Sequence, residues 1–153
     1  MTDPSKLLVD RLATAFEAVA GERVEPASRV GLYDRVMSLE WEQTIVDARD
    51  PVLLGNWWRE ALGWVVINDD PDEFEIRPAA DRLPGLLFAH VPDSKKTKNR
   101  LHLDFRPDDR DLEVERLLML GATRADVGQG EQSWIVLADP EGNEFCVLGS
   151  RAR

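Results

Sequence analysis

The chain is poor in the residues that usually do chemistry: one cysteine, two histidines and one tyrosine in 153 positions. A single cysteine, Cys146, rules out an intramolecular disulfide and suits a reducing compartment. No apolar run approaches the ~18 residues that a membrane helix needs. The N-terminus lacks a cationic stretch leading into an apolar one, so no secretory leader is expected. Positive charge is also short: 19 Lys and Arg stand against 29 Asp and Glu, for a formal net charge of −10. Phosphate backbones repel a chain of that sign, which argues against a nucleic-acid partner. The expectation is a cytoplasmic protein with neither a membrane nor a nucleic acid as partner.

What the chain does have is a repeat. Gln43-Thr44-Ile45-Val46-Asp47-Ala48-Arg49-Asp50 and His102-Leu103-Asp104-Phe105-Arg106-Pro107-Asp108-Asp109 lie 59 residues apart. Each reads as a short strand ending in an acidic turn, followed by an amphipathic helix that stops at a glycine, Gly63 or Gly121. Asp50-Pro51 is a strong helix start, a capping carboxylate followed by proline in the first turn. Leu54, Trp57, Trp58, Ala61 and Leu62 then share one face. Strands are expected at 64–67, 73–77 and 86–91, so the first half reads β-α-β-β-β. A lysine-bearing connector covers 92–99. The order then recurs, with a helix over 111–120 and strands at 123–128, 133–138 and 144–149. Asp139-Pro140-Glu141-Gly142-Asn143 is a turn.

Ahead of the repeat, residues 4–20 carry Leu8, Leu12, Phe16 and Val19 at helical spacing, and Pro26 breaks any longer helix. Residues 1–38 are therefore expected to form an N-terminal helical extension, with the main domain at 39–153 and its two modules at about 42–92 and 99–150. Met37 stands just before the repeat, so a start at that residue is a second reading of the N-terminus.

In each first strand the apolar side chains belong on the helix. The opposite face carries Gln43 and Asp47 in one half and His102, Asp104 and Arg106 in the other. These are costly to bury without partners. A shared, partly wet cavity between the halves accommodates them.

Four segments in this order resemble the vicinal oxygen chelate superfamily, in its glyoxalase-like branch. They are Asp50-Pro51 through Trp57-Trp58-Arg59-Glu60-Ala61-Leu62-Gly63-Trp64, Lys98-Asn99-Arg100-Leu101-His102-Leu103-Asp104, Val114-Glu115-Arg116-Leu117 to Leu120-Gly121-Ala122, and Asp139-Pro140-Glu141-Gly142-Asn143-Glu144-Phe145. The resemblance implies an α+β fold in which two βαβββ modules form an open, bowl-like eight-stranded sheet around a small-molecule pocket. Many members hold one divalent metal there, on residues from the first and fourth strands of each module. The matching positions here are Gln43, His102, Cys146 and, in the first half, Ala89 or His90. Glu144 shares a strand face with Cys146 and supplies the missing carboxylate if the register slips by two, so a bound metal would take His102 and Gln43, joined by Glu144 or Cys146. An open catalytic zinc-type site takes about three protein ligands, and His102 alone is a secure one. The expectation is a metal-free site.

His102 and Asp104 are the candidate catalytic pair, the carboxylate orienting the imidazole or raising its pKa. The structural alternative is a histidine held by Asp104 or by a backbone carbonyl. Gln43, Asp47, Arg106, Trp134, Glu144 and Cys146 are the candidate ligand-binding residues, although without other good ligands beside it Cys146 reads first as a small buried hydrophobe. Lys95, Lys96 and Lys98 read as a solvated connector, with an anion gate at the cavity mouth as the alternative. Three functions remain open: sequestration of a small metabolite, a metal-dependent lyase, isomerase or dioxygenase, and a metal-free enzyme using His102 as base. A homodimer is expected from the resemblance and from the exposed sheet edges of such bowls.

Overall fold

A computed structural model describes residues 39–150 and, before them, Thr14, which is helical and exposed. The rest of the expected 4–20 helix, and the segment up to residue 38, lie outside the described residues. The chain divides into two compact units, Met1–Glu40 and Trp41–Arg153.

Within the second unit the elements run β1 (Gln43–Ala48), α1 (Pro51–Leu62), β2 (Val65–Asp69), β3 (Glu73–Arg77) and β4 (Gly85–His90), then β5 (Leu103–Phe105), α2 (Arg110–Leu120), β6 (Thr123–Arg124), β7 (Ile135–Ala138) and β8 (Glu144–Val147). The helix signals act as the sequence implies. The Asp50 carboxylate accepts from the Leu53 amide at 2.9 Å, Pro51 fills the first turn, and Gly63 takes the left-handed conformation that ends α1. Asp109 caps α2 in the same way, accepting from the amides of Asp111 and Leu112. Strand β6 is shorter than the expected 123–128. Gly128 and Gly130 both adopt positive φ just beyond it, which turns the chain out of the sheet.

The strands form two four-stranded sheets of identical order, β1-β4-β3-β2 and β5-β8-β7-β6. In each, the first and fourth strands run parallel and the remaining pairs antiparallel. Parallel neighbours need a long crossover, and the helix with its two following strands provides it. Ile45 lies opposite Leu87, and Asp104 opposite Cys146. The first-half counterpart of Cys146 is therefore Leu87, not Ala89 or His90. No turn glycine like Gly142 precedes β4, so counting from a turn overshoots along the strand. Ala89 shares its face with Leu87, whereas His90 points to the other side.

One apolar core serves both halves. Helix α1 lays Leu54 and Gly55 on its own sheet, where Phe74, Ile76, Leu86 and Phe88 are buried. Trp57 and Trp58 point to the second half. The Trp58 ring stands 5.0 Å from Phe145 and 5.6 Å from Phe105. Polar groups reinforce this seam. The indole N–H of Trp57 donates to the Leu120 carbonyl (3.1 Å), that of Trp58 donates to Asp139 Oδ2 (3.0 Å), and Arg116 donates to the Ala61 carbonyl (2.7 Å). Glu141 accepts from the backbone amides of Arg49 and Asp50, at 2.8 and 2.9 Å. A carboxylate from the second half thus sits at the entrance to the first helix, where the helix dipole favours negative charge.

Candidate functional site

Both halves line a cleft of about 630 Å³, which falls within the size range of small-molecule pockets. One wall is β1 from Thr44 to Asp47. The opposite wall is Leu103 with the turn from Asp139 to Glu144, and the connector from Val91 to Leu101 closes a third side. Trp58 and Phe145 reach it from the core, and Ile45, 57% exposed, adds an apolar surface from β1.

The connector is strapped to the second half by side chains the sequence did not single out as a unit. Lys95 Nζ lies 2.9 Å from Glu144 Oε2, with both side chains largely buried. The same oxygen accepts from the Asn99 amide at 3.0 Å. Burial works against the charge on Glu144, but the Lys95 ammonium and the Asn99 amide outweigh it and hold the carboxyl below its ordinary pKa. A carboxylate with a depressed folded-state pKa stabilises the fold above its unfolded value of about 4.3, and that contribution disappears as pH falls through the folded value. Glu144→Gln should therefore lower the thermal midpoint at pH 7 and progressively less below pH ~4. An unchanged gap across that range would show that the strap carries no stabilising charge.

Lys98 makes the second attachment, with Nζ 2.5 Å from His102 Nε2. An ammonium has no lone pair to offer, so Nε2 accepts and the imidazole proton is assigned to Nδ1. Asp104 is partnered elsewhere. It faces Cys146 across β5 and β8, and that thiol is pushed up to about 11, first by burial and then by hydrogen bonding to the Asp104 carboxylate. Cys146 is thus a protonated, buried thiol at neutral pH. The candidate catalytic pair is split, each member engaged by a different neighbour.

Of the remaining sequence candidates, Asp47 and Glu144 line the cleft. Gln43 opens β1 opposite Gly85, half-buried and outside the cleft lining. Arg106 donates to the Gly149 carbonyl and borders a groove with Pro107 and Glu113. Trp134 lines a separate hollow with Arg124, Gln129 and Val136. The turn carboxylates are structural. Asp139, 3% exposed, accepts from Trp58, from the Asn143 side chain and from the amides of Glu141 and Asn143. Its pKa is raised by burial, against the pull of those donors.

The donor set does not fit the divalent metal of the resemblance. Among the described residues no three His, Cys, Asp or Glu side chains come together as ligands. The lone pair of His102 Nε2 is turned to Lys98, Glu144 is neutralised by Lys95, Cys146 keeps its proton, and the first-half position is Leu87.

The model of the glyoxalase-like domain family matches residues 43–148, nearly all of the described unit. The chain belongs to that family. Its fold is similar to a glyoxalase/bleomycin resistance protein/dioxygenase family enzyme from Burkholderia phytofirmans, at 18% identity and a TM-score of 0.57 over 71% of this chain and 97% of that one. It is also similar to the trypanothione-dependent glyoxalase I of Leishmania major, at 17% identity and 0.56 over 73% and 87%. The bleomycin resistance determinant of transposon Tn5 gives 15% and 0.51 over 74% and 100%. No curated protein sequence matches the chain significantly. Among the described residues no helix is long and apolar enough to cross a membrane.

Proposed function

We propose that this protein binds a small organic molecule in the cleft between its two halves, without a resident divalent metal. The observation that carries this reading is the cleft itself: 630 Å³, drawn from both halves, apolar at Trp58, Phe145, Leu103 and Ile45, with a few charged groups around it. That combination is what binding pockets have in common. The incompatible donor set argues for binding or sequestration over metal-dependent lyase, isomerase or dioxygenase chemistry. A cytoplasmic location accords with the lone, buried thiol. A homodimer accords with edge strand β2, which leaves Val65, Val66 and Ile67 partly exposed.

The test is to denature protein purified without chelator and identify what it releases by mass spectrometry, with elemental analysis on the same sample. A small molecule should be released by the wild type and not by Ile45→Trp, which fills the cleft from its exposed side. One divalent ion per chain, lost in His102→Ala, would overturn the metal-free reading.

A further inference from the structure

We infer that the ligand of this cleft is a small organic anion, an apolar body bearing a carboxylate or phosphate, and that its charge is met by the Lys98 ammonium, which His102 positions. The inference rests on the cleft being a ligand site and adds the class of molecule it takes.

Charges around the cleft wall are unevenly matched. Five carboxylates line it: Asp47, Asp93, Asp139, Glu141 and Glu144. Glu144 is neutralised by Lys95, and Asp93 lies 3.9 Å from Lys96. Asp139 and Glu141 spend their oxygens on the indole, amide and backbone donors of the seam. Of the five, Asp47 alone has no such engagement among the described residues. On the positive side, Lys98 differs from its neighbours. Its partners are His102 Nε2 and the Asn99 carbonyl, both uncharged, and none of the described carboxylates comes within 4.0 Å of it. Arg100 lines the same side and is also without a salt bridge among the described residues.

An ammonium held by an imidazole nitrogen and a carbonyl has no carboxylate to give up and is positioned before the ligand arrives. That is the arrangement that favours an anion. The protein as a whole is strongly acidic. Selectivity for an anion must therefore come from this local group and not from the overall field. The apolar part of the ligand has Ile45, Leu103, Trp58 and Phe145 to lie against.

The experiment measures binding of benzoate, phenyl phosphate and benzyl alcohol to the full chain by calorimetry and ligand-observed NMR, for wild type, Lys98→Gln, Lys98→Arg, His102→Gln, His102→Leu and Ile45→Trp. Both anions should bind at least about tenfold tighter than the alcohol, as a charge-assisted hydrogen bond warrants. Lys98→Gln should abolish that preference and leave the alcohol unchanged, while Lys98→Arg keeps it. His102→Gln, which still offers Lys98 an acceptor, should retain more of the preference than His102→Leu. A difference between benzoate and phenyl phosphate identifies the anion. Equal binding of alcohol and anions, or a preference that survives Lys98→Gln, overturns the inference but leaves the cleft reading standing. Binding of none of the three, or binding that Ile45→Trp does not disturb, overturns both.

Discussion

Trp58→Ala should cost about 3–5 kcal/mol of stability, the range for removing a large aromatic side chain from a core. The residue is 2% exposed, and its ring meets Trp57, Phe105 and Phe145 at centroid distances of 5.0 to 5.6 Å. It is also the main apolar link between α1 and the second sheet. A loss of that size removes much of the roughly 5–15 kcal/mol that a typical domain has. Urea titration should show a sharply lower midpoint, or no folded baseline at all, and a shift worth less than about 1 kcal/mol would mean that the seam does not depend on this ring.

Trp58→Phe separates the two roles of this side chain. It keeps an aromatic ring but removes the donor to Asp139 Oδ2, and should cost about 1–3 kcal/mol for a buried acceptor left short of a partner. The pH dependence has a definite sign. The Asp139 pKa is already raised by burial, and losing a donor raises it further, so protonation costs the folded variant less than the folded wild type. The contribution of such a group is present below its unfolded pKa and is lost as pH rises through the folded value. The Trp58→Phe penalty should therefore be smaller in acid than at pH ~7. Urea titrations at both pH values measure it, and a pH-independent penalty would remove Asp139 from the account.

Gly55→Ala is the second large effect, and its direction runs against helix propensity. In an exposed helix the change would gain about 1 kcal/mol. Here a Cβ would lie 2.1 Å from Phe74 Cδ1 and 2.8 Å from two further ring atoms. Phe74 is buried on β3 and cannot step aside without disturbing Leu54 and Phe88. Overpacking of this kind costs on the order of 1–3 kcal/mol, and an approach this close belongs at the upper end. The expected net result is destabilisation by about 2 kcal/mol, read from a lower urea midpoint at unchanged slope. A midpoint that stays or rises would mean that α1 does not press this closely on β3.

The parts of the fold that were legible in the sequence are those set by neighbouring residues. Asp50, Pro51 and Gly63 bound α1 because capping and positive φ are local demands, and the structure uses all three. The alternation along Glu73–Arg77 predicts a strand, and β3 forms there, but not as a half-exposed one: Phe74, Glu75 and Ile76 are all buried, with Glu75 paired to Arg77. The register of β4 was not legible, because pairing with β1 is settled across a crossover that runs through α1, β2 and β3. At the site, strand alternation gives Asp47 a polar face shared with Gln43, and the resemblance brings in Glu144 beside Cys146. Asp47 and Glu144 line the cleft, whereas Gln43, His102, Asp104, Arg106 and Cys146 are not in its lining. The partners of His102 and Glu144 were not readable. Lys98 and Lys95 belong to a connector without periodicity, and nothing in their spacing says which will fold back onto β5 or β8. The role of the turn from Asp139 to Asn143 was hidden similarly. It read as a reversal of the chain, whereas its carboxylates serve the Trp58 indole and the backbone ahead of α1.

That last contact makes the duplication unequal. Glu141 supplies an anion to the amides that lead into α1, whereas the start of α2 is served from within its own half, by Asp109 and by the Ser150 hydroxyl, which accepts from the Arg110 amide. Cutting the chain within the connector would leave the leading piece with bare amides at its helix and the trailing piece with an aspartate stripped of its indole. Neither fragment is a finished module. The ancestral symmetry survives in the topology, but autonomy has been traded for mutual dependence, and two such pieces should regain their shape only in each other's company.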